Sequence, residues 1–557
     1  MTGTRPGVPG TLEGFTPWPA DYVRRYREAG YWRDELLGEL PRQWSRRWPQ
    51  APAVIDGRAD GPRLSFADLD QRVDETAAGL RGLGIEPGDR VVVQLPNTVD
   101  FVVVFFALIR AGAVPVLALP AHRLSEIEHF VGLSEAVAYV IPDRHEGFDY
   151  RTLADQLAGA PSLRHVVVAG DPGPYLGLRE LSVESPDAAP APTADPADVA
   201  VLLISGGTTG KPKLIPRTHR DYAYNARASA EVCALTDRDV YLACIPVAHN
   251  FALACPGLLG VLGVGAPVVL APAPSPDVAF GLVARERVTV TALVPPLARM
   301  WVDAASWDTR DRSSLRLLQV GGAKLDAGLA TEIPPTLGCG VQQVFGMAEG
   351  LLNYTRLDDP AELVTGTQGR PLCPDDEVLV VGPDGKSVPD GETGELLTRG
   401  PYTLRGYYRA ETYNATAFTD DGFYRSGDLV RRMASGHLVV TGRVKDVINR
   451  GGENVSSALL EEHLLEHPSV SQVAVLGVPE EMLGERVCAV ITLVDGAERA
   501  PKLKELRAFL AERGLARFCH PDVLLVRDSM PLTAVGKIDK RELAARMTTP
   551  GKEGHSS

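Results

Sequence analysis

Cysteine is scarce and unpaired in this chain: seven residues in 557, at positions 233, 244, 255, 339, 373, 488 and 519, with no Cys-x-x-Cys pair. That leaves no metal-site spacing and no disulfide framework, and suits free thiols in a reducing compartment. Positive charge is also in deficit, with 57 basic against 71 acidic residues and a net of −14. Nonspecific binding to nucleic acid or to an anionic membrane is disfavoured, although a local basic patch can still serve a phosphorylated ligand. The opening stretch MTGTRPGVPGTLEGFTPW lacks a basic start followed by an apolar run, so no signal peptide is expected. Charge is absent over 27 positions from Asn250 to Pro276, long enough to span a bilayer. Pro256, Gly257, Gly260, Gly263, Gly265, Pro267, Pro272 and Pro274 break that run, which therefore reads as buried interior forming a short helix and a strand. A soluble, cytoplasmic protein is expected.

What is present begins with size. At 557 residues and 45% hydrophobic composition, the chain can bury large cores and should divide into at least two domains. Three glycines, three hydroxyl residues and two lysines come together in Ser205-Gly-Gly-Thr-Thr-Gly-Lys-Pro-Lys213, directly after the apolar run Val199–Ile204. Glycines let backbone N–H groups approach an anion, hydroxyls add donors and lysines neutralise charge, so the loop suits phosphates. It is not a Walker A loop. Only three residues separate Gly206 from Gly210, and Lys211 precedes Pro212 rather than a hydroxyl residue. Taken alone, such a cluster is equally the composition of a solvated turn.

Up to about residue 350, β-rich runs alternate with helix-length segments. The runs are Arg90–Leu95, Val114–Leu119, Val137–Ile141, His165–Val168, Val240–Ile245, Pro267–Leu270, Val288–Val294 and Leu315–Val320, with a helix predicted over Thr98–Ala111. That alternation predicts an α/β fold of parallel sheets covered by helices. Glu184–Asp198 is rich in Pro and Ala and reads as an exposed connector. After residue 375 the pattern turns to an antiparallel hairpin region, with Glu377–Val381, the turn Gly382–Lys386 and Gly394–Thr398. Beyond Gly442 a small α/β unit is expected, with strands at Val473–Gly477, Val487–Val494 and Val523–Val526 and a helix over Leu503–Arg513. The predicted organisation is a large domain over 1–443 that includes the β-rich part, a small mobile domain over 444–547 and a disordered tail over 548–557.

Five more polar clusters fall where loops are expected: Gly321–Lys324, Gln343–Glu349, Tyr424–Asp428, Gly442–Asn454 and Pro531–Lys540. In this order, and with Ser205–Lys213, they resemble the core motifs of the acyl-adenylate-forming superfamily of acyl- and aryl-CoA ligases, nonribosomal-peptide adenylation domains and luciferases. The resemblance covers nearly the whole chain. It implies a cradle for the ATP β- and γ-phosphates at Ser205, Gly206, Gly207, Thr208, Thr209, Gly210 and Lys213. Glu349 matches the Mg²⁺-associated carboxylate, a hard oxygen ligand for a hard cation. Ala348 stands where the family commonly has Thr, which removes a hydroxyl there. Gly321, Gly322 and Ala323, with Val344, Phe345, Gly346 and Met347, resemble the walls of the adenine slot.

The resemblance also makes Asp428 the carboxylate that accepts the ribose hydroxyls and Arg443 its neighbour, although an Asp–Arg pair can equally brace two elements. Lys537 resembles the lysine that draws carboxylate and α-phosphate together and stabilises the transition state. Lys445 matches the hinge about which the small domain swings between adenylation and thioester formation.

Within the superfamily, Pro246–Pro256 and the runs GFTPWP, FGMAEG, NYTRLDDP and LTRGPYT are similar to the free-standing aryl-acid AMP ligases of siderophore assembly. His249 resembles the gating histidine beside the acid, and Asn250 the amide that bonds the hydroxyl ortho to the carboxylate. Phe251, Cys255, Gly322 and Leu352 complete the implied acid site. Cys255 replaces the serine of 2,3-dihydroxybenzoate ligases, and a thiol is bulkier and a weaker hydrogen-bond partner. Leu352 replaces a smaller valine, and Phe251 a tyrosine.

All three favour salicylate, with 2,3-dihydroxybenzoate and 3-hydroxypicolinate as alternatives. The implied reaction joins salicylate and Mg·ATP into salicyl-AMP and pyrophosphate. The aryl group then passes to the phosphopantetheine thiol of a separate aryl carrier protein, since no carrier module is found in these 557 residues. An aryl-CoA ligase and a non-catalytic nucleotide-binding protein are the competing readings.

Overall fold

The computed structural model describes residues 12–548 except 183–193, 206–211, 451–452, 481–483, 498, 514, 516 and 534–535. The chain forms two compact units, one of residues up to Glu377 together with Thr398–Tyr424, the other of Val378–Leu397 together with Arg425 onward. The β-rich segment after residue 377, grouped with the large domain in the sequence reading, thus packs largely with the C-terminal part of the chain.

The first unit is built on two sheets. One has nine strands in the spatial order Arg370–Pro371, Gly350–Tyr354, Gly340–Met347, Leu317–Gly321, Val290–Leu293, Tyr241–Ala243, Val268–Leu270, Pro52–Asp56 and Arg63–Ser65. Its centre is parallel, with Leu317 opposite Gly340 and Gly321 opposite Val344. The edge strand Gly350–Tyr354 runs antiparallel to Gly340–Met347, with Gly346 opposite Leu352. The other sheet has seven strands, in which Val199–Ile204 pairs antiparallel with Leu214–Thr218.

Continuous apolar runs become these strands because both faces are covered. Every residue of Leu317–Gly321 and of Val290–Leu293 is buried. The helix Val99–Arg110 is apolar almost all round and correspondingly buried on nearly every side. Its first turn is capped by the Thr98 hydroxyl, which accepts from the Phe101 N–H. Arg110, at its far end, is buried but donates to Gly38 O and pairs with Asp70 and Asp74.

The charge-free stretch after His249 folds into two short helices, Asn250–Ala254 and Gly257–Gly263, and then the strand Val268–Leu270. Among the described residues no helix is long and apolar enough to cross a membrane. One expectation changes character: Gln343–Met347 is strand rather than loop, and only Ala348 and Glu349 form the turn into the next strand. The alternation of Val341, Gln343 and Phe345 with Gln342, Val344 and Gly346 carries no period-2 contrast, since Gln342 and Gln343 are both buried and paired to backbone or to each other's neighbours.

The second unit holds a four-stranded sheet ordered Glu377–Val381, Thr393–Arg399, Tyr424–Arg432 and Leu438–Arg443. Its other sheet has five strands, with Val470–Glu480 and Gly484–Leu493 as a long antiparallel pair and Val523–Val526 parallel to the latter. Helices Ser457–Leu465 and Leu503–Glu512 supply Leu460, Leu464, Leu506 and Leu510 to its own core.

Candidate active site

Two antiparallel strands bring Ser205 and Lys213 together. Ser205 N–H donates to Lys213 O at 2.9 Å, and Lys213 N–H donates to Ser205 Oγ at 2.9 Å. Gly206, Gly207, Thr208, Thr209 and Gly210, which come between them in the sequence, lie outside the described residues. The Lys213 ammonium sits over the Tyr413 ring, 3.7 Å from its centroid, and 5.7 Å from that of Tyr407. An ammonium on an aromatic face keeps its charge while losing little freedom when an anion arrives.

Tyr407 links this lysine to Glu349. Its hydroxyl donates to Glu349 Oε1 at 2.7 Å and lies 2.8 Å from the Tyr424 hydroxyl. Burial, then the adjacent Glu349 carboxylate, pushes the Tyr407 phenol far up, so it stays a proton donor. Leu404 N–H also donates to Glu349 O, which ties down the main chain of the turn. Among the described residues no three His, Cys, Asp or Glu side chains cluster as a metal cage. One oriented carboxylate beside a lysine fits a magnesium ion that is held mainly by phosphate oxygens and water.

Beside this turn lies an apolar and amide-lined wall. His249 opens the helix Asn250–Ala254, its Nδ1 accepting from Phe251 N–H at 3.3 Å. The Phe251 ring packs on Gly321: a Cβ at that position would lie 3.1 Å from the ring and 2.6 Å from Val344 O. Gly346 is likewise covered by the Leu352 side chain, so a Cβ there would strike Leu352 Cδ2. The two glycines that resemble adenine-slot residues therefore also let Phe251 and Leu352 close in. Gly322 follows with φ of 81°, the left-handed region that a side chain strains, and Ala323 is exposed. Asn353 Nδ2 donates to Phe345 O at 3.0 Å, and Met347 stands opposite Gly350.

Asn250 is 7% exposed and Cys255 only 1%. Asn250 Oδ1 accepts from the Tyr222 hydroxyl at 2.8 Å, and its Nδ2 donates to Cys255 Sγ at 3.4 Å. Burial pushes the Cys255 thiol up to about 12, so it is a neutral, weakly polar surface. Beneath lies Arg217, fully buried and paired with the fully buried Asp221 at 3.1 Å. Arg217 also donates to Ala348 O at 3.0 Å and to Asn225 Oδ1 at 3.4 Å. It therefore joins the helix His219–Val232 to the turn that carries Glu349. Leu352 is held from behind: its N–H donates to the Tyr402 hydroxyl, which itself donates to the buried carboxylate of Asp376.

In the second unit, Asp428 and Arg443 face each other across neighbouring strands, Arg443 Nε donating to Asp428 Oδ1 at 2.8 Å. Burial raises the Asp428 carboxyl, while the charges of Arg443 and then Lys537 pull it down. Lys537 N–H donates to Thr533 Oγ1, and Leu532 pairs with Ile538 in an isolated antiparallel bridge. Lys445 lies in the one-turn helix Val444–Asp446 after Arg443. Sequence reasoning missed Tyr407, Arg217, Tyr222, Asn225, Asp376 and Tyr402. Arg217, a lone charge inside the otherwise uncharged strand Leu214–Thr218, was the one such residue with a signal. A charge buried there needs a built partner.

Comparison with known proteins shows the family. The AMP-binding enzyme family matches residues 41–408, and the AMP-binding enzyme C-terminal domain matches residues 459–537. The salicyl-AMP ligase / salicyl-S-ArCP synthetase of Mycobacterium tuberculosis is 53% identical over 98% of this chain and 96% of its own length. The 2,3-dihydroxybenzoate-AMP ligase of Bacillus subtilis is 52% identical over 96% of this chain and 97% of its own. Among solved structures, apo MbtA of Mycobacterium smegmatis is 54% identical with a TM-score of 0.75, covering 96% of this chain and 99% of that one.

Proposed function

This chain belongs to the AMP-binding enzyme family, in its aryl-acid adenylating branch, and on that premise we propose that it activates salicylate. A carboxylate oxygen of the acid attacks the α-phosphorus of ATP. The bond from that phosphorus to the bridging oxygen breaks, and pyrophosphate leaves with its electron pair. The phosphopantetheine thiol of an aryl carrier protein then attacks the acyl carbon, loses its proton and expels AMP. Magnesium, when bound, neutralises the phosphates and favours the leaving group.

The chain's own residues take the following parts. Ser205, Lys213 and the glycine loop hold the phosphate tail, and Glu349, oriented by Tyr407, serves the metal. Gly321, Gly322, Ala323 and Val344–Met347 border the adenine, and Asp428 with Arg443 takes the ribose. Lys537 supplies positive charge where two anions must meet. His249, Asn250, Phe251, Cys255 and Leu352 surround the aryl acid. Lys445 is the pivot for the second half-reaction.

The observation that carries the choice of acid is the contact between Asn250 and Cys255. A 3-hydroxyl placed against this thiol finds only a weak partner that Asn250 already uses. A buried hydroxyl without a partner costs about 1–3 kcal/mol, enough to shift preference about tenfold or more. The relative named salicyl-AMP ligase supports the same choice, while the equally similar 2,3-dihydroxybenzoate-AMP ligase keeps that acid as the second reading.

Acid-dependent ATP–pyrophosphate exchange with salicylate, 2,3-dihydroxybenzoate and 3-hydroxypicolinate tests the proposal. Preference for dihydroxybenzoate would refute the assignment of the acid, and exchange with none of them would refute catalysis on aryl acids. Offering coenzyme A against an aryl carrier protein then separates carrier loading from an aryl-CoA ligase.

A further inference from the structure

The wall around Asn250 does more than offer an amide: it presents that amide in one orientation. Tyr222 lies on the helix His219–Val232 with its ring fully buried, and its hydroxyl donates to Asn250 Oδ1 at 2.8 Å. Among the described residues, Asn250 Oδ1 is the only acceptor that this hydroxyl reaches. The Tyr222 ring is itself held by the Arg217 guanidinium, 4.7 Å from its centroid, which Asp221 and Asn225 lock in place.

Turning the amide over would make Nδ2 donate to the phenol oxygen. The phenol's own proton would then be buried without an acceptor, a cost that disfavours the turned state about tenfold or more. The other side of the amide agrees. Asn250 Nδ2 donates to Cys255 Sγ at 3.4 Å, a sulfur that also accepts from Asn225 Nδ2 at 3.9 Å. The Tyr222 hydroxyl proton and one Asn250 Nδ2 proton thus each have an acceptor. With Oδ1 occupied and one Nδ2 proton on sulfur, one N–H remains for a ligand.

We infer that Tyr222 is a positioning residue for acid recognition, fixing Asn250 as a hydrogen-bond donor, so that the pocket selects aryl acids whose ortho substituent is an acceptor. The inference rests on the aryl-acid reading above and deepens it. In salicylate the hydroxyl proton turns toward its own carboxylate, which leaves the oxygen lone pairs for the Asn250 N–H. Anthranilate offers an amino group whose lone pair is delocalised into the ring, so N–H would face N–H. Benzoate offers nothing at that position and is indifferent to which way the amide points.

The test is pyrophosphate exchange with salicylate, anthranilate and benzoate on the full-length wild type and on Tyr222→Phe. Removing the hydroxyl frees the amide to turn. The ratio of kcat/KM for salicylate over anthranilate should fall at least about tenfold, while benzoate changes less than about threefold. Equal loss for all three acids, or an unchanged ratio, overturns the inference, because a purely structural role would give that pattern. If Tyr222→Phe does not fold, as judged by thermal unfolding, Asn250→Asp carries the test. An oxygen in place of the N–H should raise anthranilate relative to salicylate, and an unchanged ratio again overturns the inference. A wild type that activates no aryl acid would remove the functional reading and this inference together. A wild type that activates salicylate but fails the ratio test removes the inference alone.

Discussion

The hydroxyl of Tyr407 donates to Glu349 Oε1 at 2.7 Å, while the Lys213 ammonium lies 5.7 Å from the centroid of the same ring. One aromatic residue from the segment 398–424 therefore contacts both the candidate metal carboxylate and the candidate phosphate-binding lysine. Tyr407→Phe should leave the ring and remove the donor. Exchange at saturating ATP should fall about tenfold and the half-saturating magnesium concentration should rise, as for other partners that orient a metal-binding group. A magnesium titration of the exchange rate checks this, and a pure loss of rate at unchanged magnesium dependence would count against it.

Cys255→Ser supplies a hydroxyl where the thiol accepts from Asn250. The ratio of kcat/KM for 2,3-dihydroxybenzoate over salicylate should rise about tenfold. Parallel exchange assays on both acids read that ratio directly.

Gly321 admits no side chain without displacing main chain, because a Cβ would lie 2.6 Å from Val344 O and 3.1 Å from the Phe251 ring. Gly321→Ala should destabilise the protein by about 1–3 kcal/mol. In a unit of this size that corresponds to a loss of about 1–4 °C in apparent Tm, with a raised KM for the acid as Phe251 is pushed inward. Differential scanning calorimetry and exchange kinetics measure the two effects.

Lys537→Ala should cut acid-dependent exchange about a hundred- to a thousandfold, the usual cost of removing a preorganised group that stabilises transition-state charge. Titration calorimetry should still detect ATP binding. The Asp428 carboxyl, already raised by burial, should rise further without the lysine's charge.

Asp376 predicts a pH effect on stability. It is half-buried beside Tyr402, its enclosed Oδ1 has no hydrogen-bond partner, and burial of the carboxyl raises it to about 7. Between the ordinary Asp value and about 7 the folded protein holds a proton that the unfolded chain has lost, so stability falls as pH rises through that window and levels off above it. Asp376→Asn removes the titration while keeping an acceptor for Tyr402. The variant's unfolding temperature relative to wild type should therefore be higher at pH 8 than at pH 5, by the equivalent of about 1–3 kcal/mol. Thermal unfolding at the two pH values checks the sign.

Much of the fold was legible along the chain. Apolar runs such as Val114–Leu119 and Leu315–Val320 became strands within a residue or two, because a strand covered on both faces must be apolar throughout. The segment Gln343–Met347 misled for the converse reason. Its glutamines look like loop polarity, yet Gln342 and Gln343 are buried and bonded to backbone carbonyls of neighbouring segments, so their polarity is spent inside the sheet. Nor could a tyrosine such as Tyr407, about 60 positions from Glu349, announce a contact that depends on how two distant segments pack.

By itself the sequence determined the chemistry on offer: an oxygen ligand at Glu349, ammonium groups at Lys213 and Lys537, a carboxylate at Asp428, and an amide next to a thiol-bearing wall at Asn250 and Cys255. Those are properties of side chains and of their order. Only the tertiary structure decided how each group is held. Tyr407 orients Glu349, Tyr402 and Asp376 hold the backbone of Leu352, and Arg217 braces the helix that carries Tyr222. Orientation depends on partners brought together by packing, and hydrogen bonds between segments leave no period or spacing in the chain.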